Sequence, residues 1–147
     1  MKIKETEILK LDRRGRIVIP RIMRKSLGLT ENTQLMAISD SEAKEIRIIP
    51  LQLTDNKSYI KIQIYIKDEP GSLAKIANAF GALDISLVYG ESIIIKKGVE
   101  AEWTVIAPAP SSITLEDLKK YLIDQGGAIR VNILANKFQV IQDDFEL

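Results

Sequence analysis

The stretch GRIVIPRIMRKSLGLTENTQL, residues 15–35, places a proline inside an apolar run and follows it with basic residues. Pro20 cannot donate a hydrogen bond to a strand ladder, but its fixed φ suits the first position of a helix. Ile19, Met23 and Leu27 recur at intervals of four, which puts them on one side of that helix. The stretch therefore predicts a strand that stops at the proline because a short helix begins there.

Short apolar runs lie on both sides of this helix, which Gly28 would end as a C-cap. The predicted strands are ILKL (8–11), IVI (17–19), LMAIS (35–39) and EIRIIP (45–50). Arg14-Gly15 separates the first two strands, which is a hairpin signal, and the loop DSEAK joins the last two. A unit of hairpin, helix and hairpin is too small to bury a sufficient core without a disulfide or a metal, so we expect it to fold as a dimer.

Positive charge is concentrated in this unit. Residues 1–50 hold eleven Lys and Arg against seven Asp and Glu, whereas residues 51–147 hold ten against thirteen. Seven bases lie within residues 10–25 beside the single acid Asp12, namely Lys10, Arg13, Arg14, Arg16, Arg21, Arg24 and Lys25. Such a cluster is typical of proteins that bind polyanions such as nucleic acids, and these seven side chains are the candidate contacts.

Composition excludes several classes of function. The chain contains no cysteine and no histidine, so thiolate nucleophiles, Ser–His dyads and imidazole-ligated metals are excluded. Paired carboxylates occur only as sequence neighbours, which seldom face each other across a substrate. We therefore expect no enzyme activity, no catalytic residue, no metal and no cofactor. No run of about 18 apolar residues and no apolar signal core occur, which predicts no membrane partner and a cytoplasmic location.

A second domain is expected over residues 59–147, after a polar, turn-prone linker at 51–58. The predicted elements are an alternating strand YIKIQIYIK (59–67), a helix after Pro70, strands at 85–97 and 101–107, a helix after Thr114 and a strand at 128–134. The order β-α-β-β-α-β is the ferredoxin-like plan, a mixed α/β fold with both helices on one face of the sheet. One interpretation of the tail adds an edge strand at residues 138–141.

The segment LDRRGRIVIPRIMRKSLGLTENTQL resembles the swapped-hairpin DNA-binding domain of the AbrB/SpoVT/MazE superfamily, and the match covers residues 5–50. The resemblance implies an interlocked homodimer, in which hairpins of two chains form one small β-barrel and lay paired basic faces on double-stranded DNA. Arg16 follows the signature glycine, and Arg24-Lys25 matches the basic pair of the helix. Leu9 stands where some members carry arginine, so that contact is missing here.

The segment IKDEPGSLAKIANAFGALDISL (66–87) resembles an ACT domain, whose Asp/Glu-x-Pro-Gly-x-Leu motif joins the first strand to the first helix. The resemblance spans residues 58–135, and the RAM domain of the leucine-responsive regulators has the same topology. It implies a regulatory module that pairs edge to edge or face to face with another copy, giving a higher oligomer, and binds an amino-acid effector at that interface. The implied ligand-binding residues are Asp68, Glu69, Pro70, Gly71, Ser72, Leu73 and Ser86.

The chemistry of this motif suits a carboxylate. Gly71 has no Cβ to block a ligand, and backbone N–H groups at the start of a helix can bind an anion. Ser86 stands where the family often carries asparagine, which changes the expected ligand contact. The same motif would also begin a helix in an ACT domain that binds no ligand, and this alternative stays open.

The hypothesis is a DNA-binding transcriptional regulator whose DNA binding or assembly is modulated through the second domain by an amino acid. An antitoxin would use the same first domain, but a typical antitoxin tail is disordered, whereas the alternating strands predict an ordered second domain. A regulatory subunit that senses an amino acid without binding DNA is the other alternative, and it leaves the basic cluster without a purpose.

Overall fold

The computed structural model describes residues 2, 4–51 and 58–135. The chain divides into two compact units, Met1–Asn56 and Lys57–Leu147. Most of the predicted linker and the predicted strand at 138–141 lie outside the described residues. No helix in the described ranges is long and apolar enough to cross a membrane.

The first unit contains one helix and one hairpin, α1 (Arg21–Leu27), β1 (Leu35–Asp40) and β2 (Glu45–Pro50). The two strands are antiparallel over their whole length, with Leu35 opposite Pro50 and Asp40 opposite Glu45. Oδ1 of Asp40 accepts hydrogen bonds from the backbone N of Glu42 and of Ala43, each at 3.0 Å, and so fixes the turn. This hairpin agrees with the predicted strands at 35–39 and 45–50.

The predicted hairpin at residues 8–11 and 17–19 is only half right, because its turn forms but its strands do not. Ile8 is 100% exposed and Val18 78% exposed in the single chain. An isolated two-stranded ribbon that buries neither face is marginal at best, which accounts for the missing ladder. Pro20 also lies one position earlier than predicted, as the N-cap of α1 with φ −55° and ψ 145°.

The second unit has the predicted βαββαβ order. Its elements are β3 (Tyr59–Lys67), α2 (Ser72–Ala82), β4 (Tyr89–Lys96), β5 (Glu100–Pro108), α3 (Leu115–Asp124) and β6 (Arg130–Ala135). The strands form one antiparallel sheet in the order β4-β5-β3-β6. This is the strand order of the ferredoxin-like plan, so the unit is a mixed α/β domain.

Alternation along β3 places Ile60, Ile62, Ile64 and Ile66 in the core, where none is more than 3% exposed. The ring of Phe80 from α2 packs edge-on against Trp103 of β5, with centroids 6.0 Å apart. No polar side chain is buried among the residues that the structure describes. The core is therefore built from hydrocarbon and two aromatic rings.

One helix of the second unit and one strand differ from the sequence pattern, and the other helix begins as predicted. In α2, the i, i+3, i+4, i+7 spacing predicts a buried face of Leu73, Ile76, Ala77 and Phe80. Leu73 is instead 43% exposed and Ala79 is buried in place of Ala77, so the apolar stripe is rotated toward Ile76, Ala79 and Phe80. In α3, Oγ1 of Thr114 accepts a hydrogen bond from the backbone N of Asp117 at 3.1 Å, as expected of an N-cap. The predicted strand at 85–97 begins only at Tyr89.

Candidate functional site

The turn of residues 12–16 carries part of the predicted DNA-binding set, and Asp12 organises it. Oδ1 of Asp12 accepts hydrogen bonds from the backbone N of Arg14 and of Arg16, both at 2.8 Å. The backbone N of Asp12 donates to the carbonyl of Arg16, and that of Gly15 donates to the carbonyl of Asp12, each at 3.0 Å. Gly15 has φ +78°, a conformation that glycine adopts easily. The arginines therefore stand on an ordered turn.

Arg16 is also bound through its side chain. Its Nε donates to Oδ2 of Asp12 at 2.7 Å, and the two side chains remain 42% and 40% exposed. The backbone hydrogen bond from Arg16, followed by the one from its side chain, holds the pKa of Asp12 below its usual value. Asp12 is therefore ionised near neutral pH and can pair with the Arg16 guanidinium.

The helix α1 presents the second group of predicted DNA-binding residues, and none of its residues is buried. Arg24 and Lys25 lie in its last turn, where positive charge is favourable to the helix dipole. Gly28 follows in the left-handed conformation with φ 68°, and Leu29 N donates to the carbonyl of Arg24 at 2.8 Å. This cap confirms the predicted end of the helix. Arg21 is exposed at the start of α1.

The remaining predicted bases lie on or before the turn. Lys10 and Arg13 are exposed, whereas Arg14 is half-buried. The turn and α1 thus each carry a group of cations. Asp12 and its hydrogen bonds were missed in the sequence, although an aspartate three residues before a glycine is typical of a turn that its side chain caps.

In the second unit, the predicted ligand motif lies at the start of α2. Asp68 is engaged within the fold, since its Oδ2 accepts from the backbone N of Gly98 at 2.7 Å and ties β3 to the β4–β5 turn. Gly71 is the N-cap of α2 with φ +90°, and no heavy atom lies within 4 Å of the position a Cβ would take. The space beside Gly71 is therefore unfilled, while the backbone N of Ser72 donates to the carbonyl of Glu69 at 3.2 Å.

Ser86 lies at the other end of the same unit. It lines a cleft of about 330 Å³ between the α2–β4 and β5–α3 loops, formed by Leu83, Asp84, Ile85, Ser86, Pro108, Ala109, Pro110, Ser111 and Ser112. Strand β3 separates the two ends, since Tyr59 pairs with Pro108 and Lys67 pairs with Glu100. Nine residues of strand span about 26 Å. One chain therefore does not bring Ser86 together with Gly71, and the predicted ligand set is divided between two places.

No group of acidic side chains in the described ranges could hold a metal ion. No model of a protein family matches this chain, and no curated protein matches it.

Two solved structures resemble part of the chain. An uncharacterized protein of Thermotoga maritima has 13% sequence identity and a TM-score of 0.44, over 56% of this chain and 100% of that one. A candidate glycine cleavage system transcriptional repressor has 15% identity and a TM-score of 0.44, over 63% of this chain. The present chain spans 56% of the length of that second protein.

Proposed function

We propose that this chain is a homodimeric transcriptional regulator whose first unit binds double-stranded DNA and whose second unit assembles the chains or senses an amino acid. The observation that carries the proposal is that the first unit combines cations on an ordered backbone with exposed apolar segments. These segments are residues 8–11 and 17–19, and we call them the arms. The turn at 12–16 and helix α1 hold the cations in fixed backbone positions. Because the apolar arms on either side of that turn are exposed in the single chain, we infer that a second chain covers them.

The need for a second chain follows from exposure. Large apolar side chains stand in solvent throughout the first unit, among them Ile8 at 100%, Val18 at 78%, Ile46 at 70% and Leu11 at 65%. Only Met36 is buried in this unit among the residues that the structure describes. A second copy would cover these residues if the arms paired across the dimer, which is the swapped-hairpin arrangement that the sequence signature implies. A dimer would also present the basic turn and helix twice.

The proposed contacts of these cations are with phosphate, supplemented by contacts with base edges. Neutralising phosphates releases counterions, so binding should weaken steeply with salt. The ordered second unit, with its packed apolar core, disfavours the antitoxin alternative, because a toxin-wrapping tail is disordered until it binds.

Replacing Arg24 with alanine is expected to weaken DNA binding about tenfold and to reduce the slope of log affinity against log salt by about one. The side chain is exposed, so the fold and dimer should be unaffected. Fluorescence anisotropy of a labelled duplex from the upstream region of the protein's own gene measures both quantities. Lys120→Ala on α3, which removes the same charge from the second unit, is the control. Unchanged affinity of Arg24→Ala at moderate salt would exclude this arginine from the interface.

The second unit is proposed to join chains through its edge. Strand β4 lies at the end of the sheet, and Ile93, Ile94 and Ile95 are each more than half exposed. An apolar edge strand of this kind readily pairs with another copy. Since Gly71 and Ser86 lie at opposite ends of the second unit in one chain, an amino acid that contacts both requires two copies.

Modulation by an amino acid requires that the ligand bind one arrangement of the chains more tightly than another. The test repeats the anisotropy measurement with and without a pool of amino acids at fixed salt. A several-fold change in DNA affinity supports an effector role, and the pool can then be divided. If the amino-acid pool does not change the DNA affinity, assembly of the chains remains as the role of the second unit. If the protein binds no DNA at low salt, the proposed function is contradicted.

A further inference from the structure

We infer that Asp12 is a positioning residue that orients Arg16 toward the edge of a guanine, so that the pair sets sequence preference more than affinity. The inference rests on the proposed function, DNA binding by the first unit. It concerns an acidic side chain placed in the middle of a basic cluster, where its charge would repel the phosphates that the cluster is proposed to bind.

The geometry of the pair leaves one side of the guanidinium available. Oδ2 of Asp12 accepts from Nε of Arg16 at 2.7 Å, while Oδ1 is occupied by the backbone N–H groups of Arg14 and Arg16. The carboxylate is thus fixed by the backbone of the residue whose side chain it holds. Within the described part of the chain, the two terminal nitrogens of Arg16 have no hydrogen-bond partner. They form a planar fork that can donate to two neighbouring acceptors.

Two acceptors side by side are what a guanine presents in the major groove. Its O6 and N7 accept a bidentate contact from arginine, and this is the commonest base-specific contact in protein–DNA complexes. An arginine whose Nε is already bound to a carboxylate loses fewer side-chain orientations when its two terminal nitrogens bind a base. It therefore discriminates better between the right base and a wrong one.

The net charge of the Asp12–Arg16 pair indicates whether it contacts a base or a phosphate. The Asp12–Arg16 pair has no net charge, so it attracts a phosphate less strongly than a free arginine would. A carboxylate close to the phosphate backbone also lowers affinity for DNA of any sequence. The directional donors of Arg16 are unaffected by this cancellation. The pair therefore suits recognition of a base edge better than neutralisation of the backbone.

The same unit contains a matched control. Asp40 fixes the β1–β2 turn in the way that Asp12 fixes its own turn, by accepting from two backbone N–H groups at 3.0 Å. The structure shows no arginine paired with Asp40 among the described residues. Asp40→Asn therefore changes the same charge in the same kind of turn without releasing an arginine.

The experiment selects duplexes from a random-sequence library with the full-length wild type, Asp12→Asn and Asp40→Asn, and sequences the bound fraction. Asparagine keeps an oxygen for the backbone N–H groups but loses the ionic contact with Nε. We expect the wild type to favour guanine at one position or more, and Asp12→Asn to lose this preference about tenfold. Its affinity for the unselected library at low salt should be unchanged or higher, and Asp40→Asn should keep the preference.

Arg16→Lys provides a second variant, because lysine keeps the charge but has no planar fork. It should lose the same guanine preference while the salt dependence of binding stays close to that of the wild type. Thermal unfolding of all variants checks that each is folded.

Three results would overturn the inference. If Asp12→Asn weakens binding equally on all sequences and keeps the guanine preference, Arg16 contacts phosphate instead. If Asp40→Asn loses the preference as well, the effect belongs to charge or turn stability in general. If the wild type binds DNA with no preference for guanine, the inference is wrong but the proposed function stands. If the wild type binds no DNA at low salt, both the inference and the proposed function are wrong.

Discussion

Replacing Val18 with aspartate is expected to halve the mass of the protein particle and to abolish DNA binding. Val18 is 78% exposed in the single chain, in the arm that follows the basic turn. In the proposed dimer this side chain is covered by the second copy, and a buried charge without a partner costs at least about 3 kcal/mol. That corresponds to more than a hundredfold in the dissociation constant of the dimer.

Sedimentation velocity measures the mass, and fluorescence anisotropy measures the DNA affinity. Val99→Asp is the control, since it makes the same substitution at a residue 53% exposed, in the turn between β4 and β5 of the second unit. It should leave DNA binding unchanged. If Val18→Asp keeps both the mass and the DNA affinity of the wild type, the arms do not form the dimer and the swapped arrangement is wrong.

Replacing Gly126 with alanine is expected to destabilise the second unit by about 3 kcal/mol, which is the upper end of the usual cost of overpacking. A Cβ at this position would clash with Cδ1 of Ile76 and would lie 2.6 Å from the carbonyl oxygen of Leu122. The isoleucine methyl can move aside, but the carbonyl belongs to the backbone of α3. The added methyl group therefore pushes α3 away from the core. A loss of this size is a large part of the total stability of a typical domain.

Gly81→Ala is the matched control, because Gly81 lies in α2 with no heavy atom within 4 Å of the position a Cβ would take. Alanine stabilises a helix interior by up to about 1 kcal/mol relative to glycine, and Gly81→Ala in the last turn of α2 should give a smaller gain. Urea unfolding followed by the fluorescence of Trp103, the single tryptophan of the chain, reports on this unit. Equal midpoints for the two variants would show that the packing around Gly126 yields without cost.

Features that depend on local spacing could be predicted from the sequence. The alternating isoleucines of β3 gave the buried face, and Thr114 gave the start of α3, because both follow from periodicity or from a single capping bond. The end of α1 at Gly28 belongs to the same class, since glycine there adopts the left-handed conformation. Each of these predictions needs information from only a few neighbouring residues.

Features that depend on distant or additional partners could not be predicted in this way. The strands at 8–11 and 17–19 do not form in the single chain, because an isolated two-stranded ribbon buries neither of its faces, and local spacing does not report whether anything covers them. Gly71 and Ser86 were grouped by their likeness to a family motif, and only the strand register shows that they lie at opposite ends of β3. The bond between Asp12 and Arg16 depends on side-chain placement that spacing alone does not decide.

The purely apolar core of the second unit has a consequence for its response to temperature. Burial of hydrocarbon is accompanied by a large heat-capacity change on unfolding, and the driving force for that burial fades as water is cooled. In the described part of this unit, no buried polar side chain adds a contribution with the opposite trend. The isoleucine-rich domain should therefore lose stability as the temperature falls toward about 0 °C. At the same urea concentration, a larger fraction of it should be unfolded near the freezing point than at room temperature.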